Sequence, residues 1–162
     1  MNKLKITCLA AAFALAGAGV SQAQTNYIRL VGATAFRAQT ITAITNMMGS
    51  TRQVAYYGEG GKVTASTKAN QIILGGTVNG SYTIIKAKFG GSAAGIQQVS
   101  QAIPIAFMAD SNLQAAPSDG SVGSPSYDAA IAPDAAFSDV EQATTPFADI
   151  PLDQSPSSPQ GV

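Results

Sequence analysis

Two runs, QIILGGTV at 71–78 and SYTIIKAKF at 81–89, stand on either side of Asn79-Gly80. Nothing else in the sequence restricts the fold so tightly. Both runs are rich in β-branched and aromatic residues, and Asn-Gly is the dipeptide that best tolerates the positive φ angles of a two-residue turn. The spacing predicts an antiparallel hairpin. Gly75-Gly76 within its first arm predicts a bulge or bend.

The remaining elements arrange themselves around this hairpin. Tyr27 to Val31 reads as a strand stopped by Gly32. From Thr34, a candidate N-cap, the period changes to 3.6, with Ala38, Ile41, Ile44 and Met48 on one face and Gly49-Ser50 at the end. Gln53 to Tyr57 is a short strand, and Gly58 to Asn70 a loop. Ser92 is the natural N-cap of a second helix whose stripe is Ile96, Val99 and Ile103, and Pro104 limits that helix to about Gln101. Ile105 to Met108 and Asp134 to Asp139 read as further short strands. The stretch from Ala109 to Pro133 is small, polar and proline-bearing, and is expected to be a long surface loop or insertion. Strand, helix, strand, hairpin, helix, strand predicts an α/β domain over 24–150, an open sheet with flanking helices, doubly wound as the natural arrangement.

Residues 1–23 have the pattern of a secretory signal peptide. Lys3 and Lys5 precede the short apolar run ITCLAAAFALAGAGV, and Ser21-Gln22-Ala23 is a small-x-small cleavage site. A periplasmic or extracellular location is expected, with the membrane met only through this leader. The stretch PLDQSPSSPQGV at 151–162 lacks any core-forming pattern and is expected to be disordered.

The chemistry open to the remaining 139 residues is narrow. The chain has no histidine, and its one cysteine, Cys8, lies in the leader. Ser-His-Asp and Cys-His catalysis and the common zinc sites are therefore excluded. Only carboxylate chemistry remains for an enzyme, and Asp134 and Asp139 show no acid/base pairing, so a non-enzymatic protein without cofactor or metal is expected. Without Lys3 and Lys5, seven basic residues face nine acidic ones, a formal charge of −2. That balance does not fit a nucleic-acid partner. The basic residues all lie between Arg29 and Lys88, and every acid but Glu59 lies from Asp110 onward, which reads as a solvated acidic region.

Three loops share one design. Gly32-Ala33-Thr34-Ala35-Phe36 and Gly90-Gly91-Ser92-Ala93-Ala94-Gly95 each join a strand to a helix, and Phe137-Ser138-Asp139 leaves a third strand. Ligands of open α/β sheets collect outside the carboxyl ends of the strands. A helix start there offers free N–H groups and about half a positive charge to an anion. Taken singly, each loop also reads as ordinary capping and turn chemistry. Only the three together point to a site.

The ordered set GATAFRAQTITAI, KFGGSAAGIQQV and DAAFSDVEQ resembles the first lobe of periplasmic phosphate-binding proteins, the substrate-binding components of ABC transporters. The likeness covers about residues 27–100 and 133–147. It implies a single lobe of a periplasmic-binding-protein-like fold and a small oxyanion such as phosphate as ligand, with an ABC transporter permease as a possible partner. Carried over, Thr34 and the Ala35-Phe36 backbone bind the anion from the first helix start, Ser92 and Ala93 from the second, and Asp139 accepts a hydrogen bond from a proton-bearing oxygen. The sequence departs from the family pattern in several places. Ala35 is an extra residue between Thr34 and Phe36, Ala93-Ala94 stand where glycines are usual, and 109–133 is an insertion. Arg37 reads as an exposed helical arginine. The family closes two lobes on its ligand, whereas this length suits one, so the site is expected to be incomplete in this chain. The alternative is an extracellular structural or surface protein that reuses the lobe without binding solute.

Overall fold

The computed structural model describes residues 24–146 apart from 59, 62 and 116–119; the expected leader, residues 147–150 and the tail lie outside them. The chain runs through β1 (Asn26–Gly32), α1 (Arg37–Met48), β2 (Gln53–Tyr57), β3 (Gln71–Val78), β4 (Ser81–Phe89), α2 (Ser92–Ser100) and β5 (Ala135–Phe137). Among the described residues no helix is long and apolar enough to cross a membrane.

The hairpin forms as its turn demands. β3 and β4 pair antiparallel from Gln71 opposite Lys88 to Val78 opposite Ser81. Asn79 and Gly80 take φ of 50° and 81°, the mirror-image turn that matches strand twist. The expected bulge at Gly75-Gly76 is absent, since both residues keep their register opposite Ile84 and Thr83. These glycines instead make room on both faces. A Cβ on Gly76 would meet Met48 of α1 at 3.0 Å, and one on Gly75 would meet the Tyr82 hydroxyl at 2.6 Å.

The five strands lie in the order β2-β3-β4-β1-β5. β3 is antiparallel to both neighbours, while β1 is parallel to β4 and to β5. The chain therefore leaves β1, travels through α1 to the far edge, returns through the hairpin, and crosses through α2 to β5. The class is mixed α/β with an open sheet.

Alternation along the strands sorts the core into two faces. On one, Leu30, Ile72, Leu74, Ile85, Ala87 and Phe89 pack against Ile41, Ile44 and Met48 of α1. Thr40 completes the buried stripe of α1, and Ala38, expected in it, is exposed. On the other face lie Ala55, Ile73, Ile84 and Met108, with Tyr82, Leu113 and Val122 against them. α2 packs on this second face, where Gly95 lies against Gly32 and Ala136. The helices thus flank the sheet on opposite sides. Ile41, Ile72, Ile73 and Leu74 are at most 1 % exposed, each burial contributing about 1.5–3 kcal/mol.

The rest of the second face is covered by irregular chain. Ile105 to Met108 does not form a strand; it makes single bridges, Ile105 to Ile131 and Met108 to Tyr127. Further bridges tie Gln114 to Val54 and Ser121 to Tyr56 at the β2 edge. Residues 109–115 and 120–133 are therefore a strap fastened across the sheet rather than a free surface loop.

Candidate functional site

β1 ends at Gly32, which is in register with Phe89 of β4 on one side and Phe137 of β5 on the other. Three parallel strands therefore finish together at one edge of the sheet, and the three loops singled out in the sequence leave from that edge. Gly32 holds φ of +128°, and a Cβ there would lie 1.9 Å from the Phe137 carbonyl oxygen. Only glycine allows this approach. It lets the Ala33 N–H donate to that oxygen at 2.7 Å, while the Gly32 carbonyl accepts from the Gly91 N–H at 3.0 Å. These two bonds lash the turn after β1 to β5 and to the start of α2.

Thr34, Ala35 and Phe36 form a short 3-10 turn, all exposed, before α1 begins at Arg37. Thr34 is not an N-cap: the position before α1 is Phe36, and no side chain caps it. The Thr34 hydroxyl has no hydrogen-bond partner among the described residues. Arg37 is half-buried rather than exposed, and its Nε–H donates to the Thr67 carbonyl at 3.1 Å, which takes it out of the anion argument. Phe36 and Phe137, with Gln39, Thr40, Ala43 and Ile44, line an open apolar groove of about 330 Å³ beside this turn.

Ser92 also departs from its expected role. Gly91, at φ +111°, occupies the cap position and Ser92 is the first helical residue. Its hydroxyl is spent elsewhere: it donates to Asp139 Oδ1. The Asp139 N–H returns a bond to Ser92 Oγ at 3.3 Å. The first bond of the helical ladder runs from the Gly95 N–H to the Gly91 carbonyl, so the Ser92, Ala93 and Ala94 N–H groups precede it. A carboxylate thus stands against the positive end of α2, a favourable placement for negative charge. Ala93 is exposed on this first turn.

Of the six sequence-predicted residues, Ser92 and Asp139 are in direct contact. Thr34, Ala35 and Phe36 sit in the adjoining turn, and Ala93 follows Ser92. Asp134 is excluded, since its Oδ2 accepts the Arg29 N–H at 2.6 Å and lies 3.7 Å from the Arg29 guanidinium. Among the described residues no group of three or more acids, histidines or cysteines could hold a metal ion.

A second polar constellation was not foreseen. Lys86, in the middle of β4, has a side chain only 3 % exposed. Its ammonium lies 2.7 Å from Asp110 Oδ1 and also pairs with Asp128 Oδ2. The Tyr27 hydroxyl donates to Asp110 Oδ2 at 2.7 Å. Burial pushes the Asp110 carboxyl up, but hydrogen bonds from Lys86 and Tyr27 and the charges of Lys86 and Arg29 outweigh it, leaving it below its ordinary 3.8. Tyr27 is pushed above 10.0, first by its bond to Asp110, then by burial and by the charges of Asp110 and Asp128, with Arg29 opposing. The acids after Asp110 are therefore not uniformly a solvated region. Asp110, Asp128 and Asp134 are committed to Lys86 and Arg29. The available signal was the first of two lysines in the strand TIIKAKF, set directly after the apolar pair Ile84-Ile85.

No family model, curated protein or solved structure matches this chain.

Proposed function

We propose that this chain is a secreted, non-enzymatic binding domain that takes a small proton-bearing oxyanion such as phosphate at the carboxyl edge of its sheet. In this reading it is built like one lobe of a periplasmic-binding-protein-like fold, and a membrane permease of the ABC transporter class is its candidate partner. The observation that carries the reading is the contact of Ser92 with Asp139 where β1, β4 and β5 end together. The first turn of α2 supplies N–H groups, Thr34 supplies a hydroxyl from the next loop, and Ser92, which donates to Asp139, holds that carboxylate beside them. Asp139 accepts but cannot donate while ionised. It therefore suits an anion that still carries a proton and disfavours fully ionised sulfate.

The alternative is a surface or structural domain without a solute. It is favoured by the way Ser92 and Asp139 already satisfy each other. Calorimetric titration of the full chain with phosphate and with sulfate separates the two. Saturable heat with phosphate and none with sulfate, a difference narrowed in Asp139→Asn, supports oxyanion binding. No heat with either anion favours the structural reading.

A further inference from the structure

Lys86 is the most deeply buried charge among the described residues, and it holds two separate pieces of chain. Asp110 comes from the arm that begins at Ile105, and Asp128 from the arm that ends at Ile131. The arms are also bound to each other: the Ala109 N–H donates to the Ser126 carbonyl at 2.9 Å, and the Asp128 N–H to the Phe107 carbonyl at 3.0 Å. Asn112 joins the same pairing through both its amide and its oxygen on Ser126. One ammonium thus fastens both ends of the strap onto the second face of the sheet.

The two sides of this contact meet solvent very differently. The Asp110 and Asp128 side chains are 39 % and 47 % exposed, against 3 % for Lys86. The Asp128 side chain meets solvent without any opening, whereas the Lys86 ammonium and the Asp110 Oδ1 facing it are buried while the strap is in place. The other neighbours of Lys86 do not replace the lost charge. From β1 it faces the Tyr27 ring, 5.7 Å away, and Arg29, its register partner, which carries the same sign. From β3 it faces Ile73. Lys88 lies two residues along its own strand on the same face, and α2 has no titratable side chain. Asp134 is taken up by Arg29. A buried ammonium stripped of its partners is strongly unfavourable.

We propose that Lys86 is an acid-released catch: it holds both arms of the strap while Asp110 and Asp128 are ionised, and when both are protonated the arms lift and uncover the second face of the sheet. The depressed titration of Asp110 fits this placement and sets the direction. Asp110 therefore keeps its side of the catch closed above 3.8 and gives it up only as pH falls through a lower value. The uncovered surface is the apolar patch of Ala55, Ile73 and Ile84 with Tyr57 and Tyr82 beside it.

Amide hydrogen exchange on the full chain, corrected for intrinsic rates and followed from pH 6 down to pH 2, tests this. In the wild type, Ala109, Val122 and Asp128 amides are expected to lose protection on the order of 100-fold at the lower pH, while β3 and β4 amides keep theirs. Lys86→Met keeps the length of the side chain without its charge and is expected to abolish that selective loss. Asp128→Asn removes one exposed partner and is expected to loosen the arms already at pH 6, which keeps the test decisive if the methionine variant does not fold. Arms that stay protected down to pH 2, arms and sheet that open together, or an unchanged acid response in Lys86→Met would overturn the proposal.

Discussion

A methyl group on Gly95 of α2 would lie 2.7 Å from the Cα of Gly32 in β1. The second helix therefore rests backbone to backbone on the strand that carries the candidate site. Gly32 in turn touches β5, where an added Cβ would strike the Phe137 carbonyl. Two glycines, 63 positions apart in sequence, thus set how closely the three strand ends and the start of α2 approach one another.

Gly95→Ala tests this spacing against local preference. Alanine favours a helix interior by about 1 kcal/mol over glycine, yet here the contact is expected to win, with a net loss of about 1–3 kcal/mol. Gly32→Ala meets both the clash and the positive φ and is expected to lose more than about 3 kcal/mol. Urea unfolding of both variants reads the order. A Gly95→Ala protein more stable than the wild type would show that α2 does not sit on β1 in this way.

Asp139 against the first turn of α2 makes a second, independent prediction. Asp139→Asn keeps an acceptor for Ser92 but removes the charge at the positive helix end. The expected loss is about 0.3–1 kcal/mol at low ionic strength, shrinking with added salt. Unfolding curves at two salt concentrations measure it. An effect independent of salt would mean that the hydrogen bond, not the charge, matters there.

The Tyr27–Asp110 bond predicts opposite behaviour at the two ends of the pH scale. Asp110 is depressed, so its contribution is complete above 3.8 and is lost as pH falls through the lowered value. Tyr27 is raised, so its contribution is complete below 10.0 and is lost as pH rises through the raised value. Tyr27→Phe removes one of the donors that hold Asp110 down. Its acid unfolding limb is expected to move to higher pH and its alkaline limb to flatten, each by no more than about 1 kcal/mol because Tyr27 is 40 % exposed. Thermal unfolding between pH 2.5 and 11 in both proteins checks the pair of signs.

Much of this architecture was legible in the residues. The Asn79-Gly80 turn, the period change after Gly32 and the glycine stop at Gly49 each encode a local conformation, and each is found. The grouping of three loops at one sheet edge also followed from element order, because parallel strands place their carboxyl ends together. What the sequence hid was long-range. Thr34 and Ser92 have the chemistry of caps, and nothing local reveals that Ser92 turns instead to a residue 47 positions away. Gly75 and Gly76 looked like a bend because glycine weakens strands, but they clear space for Met48 and Tyr82, which only packing reveals. The strap looked like a loop for its composition, while its anchor, Lys86, lies in another element.

The most direct test of the oxyanion reading is a phosphate titration of the full, isotopically labelled chain followed by amide chemical shifts. Saturable changes confined to 33–36, 91–94 and 138–140, weakened by Asp139→Asn and by Ser92→Ala, are the predicted result. Unmoved resonances at those positions in millimolar phosphate, or changes scattered over the surface that never saturate, would contradict it.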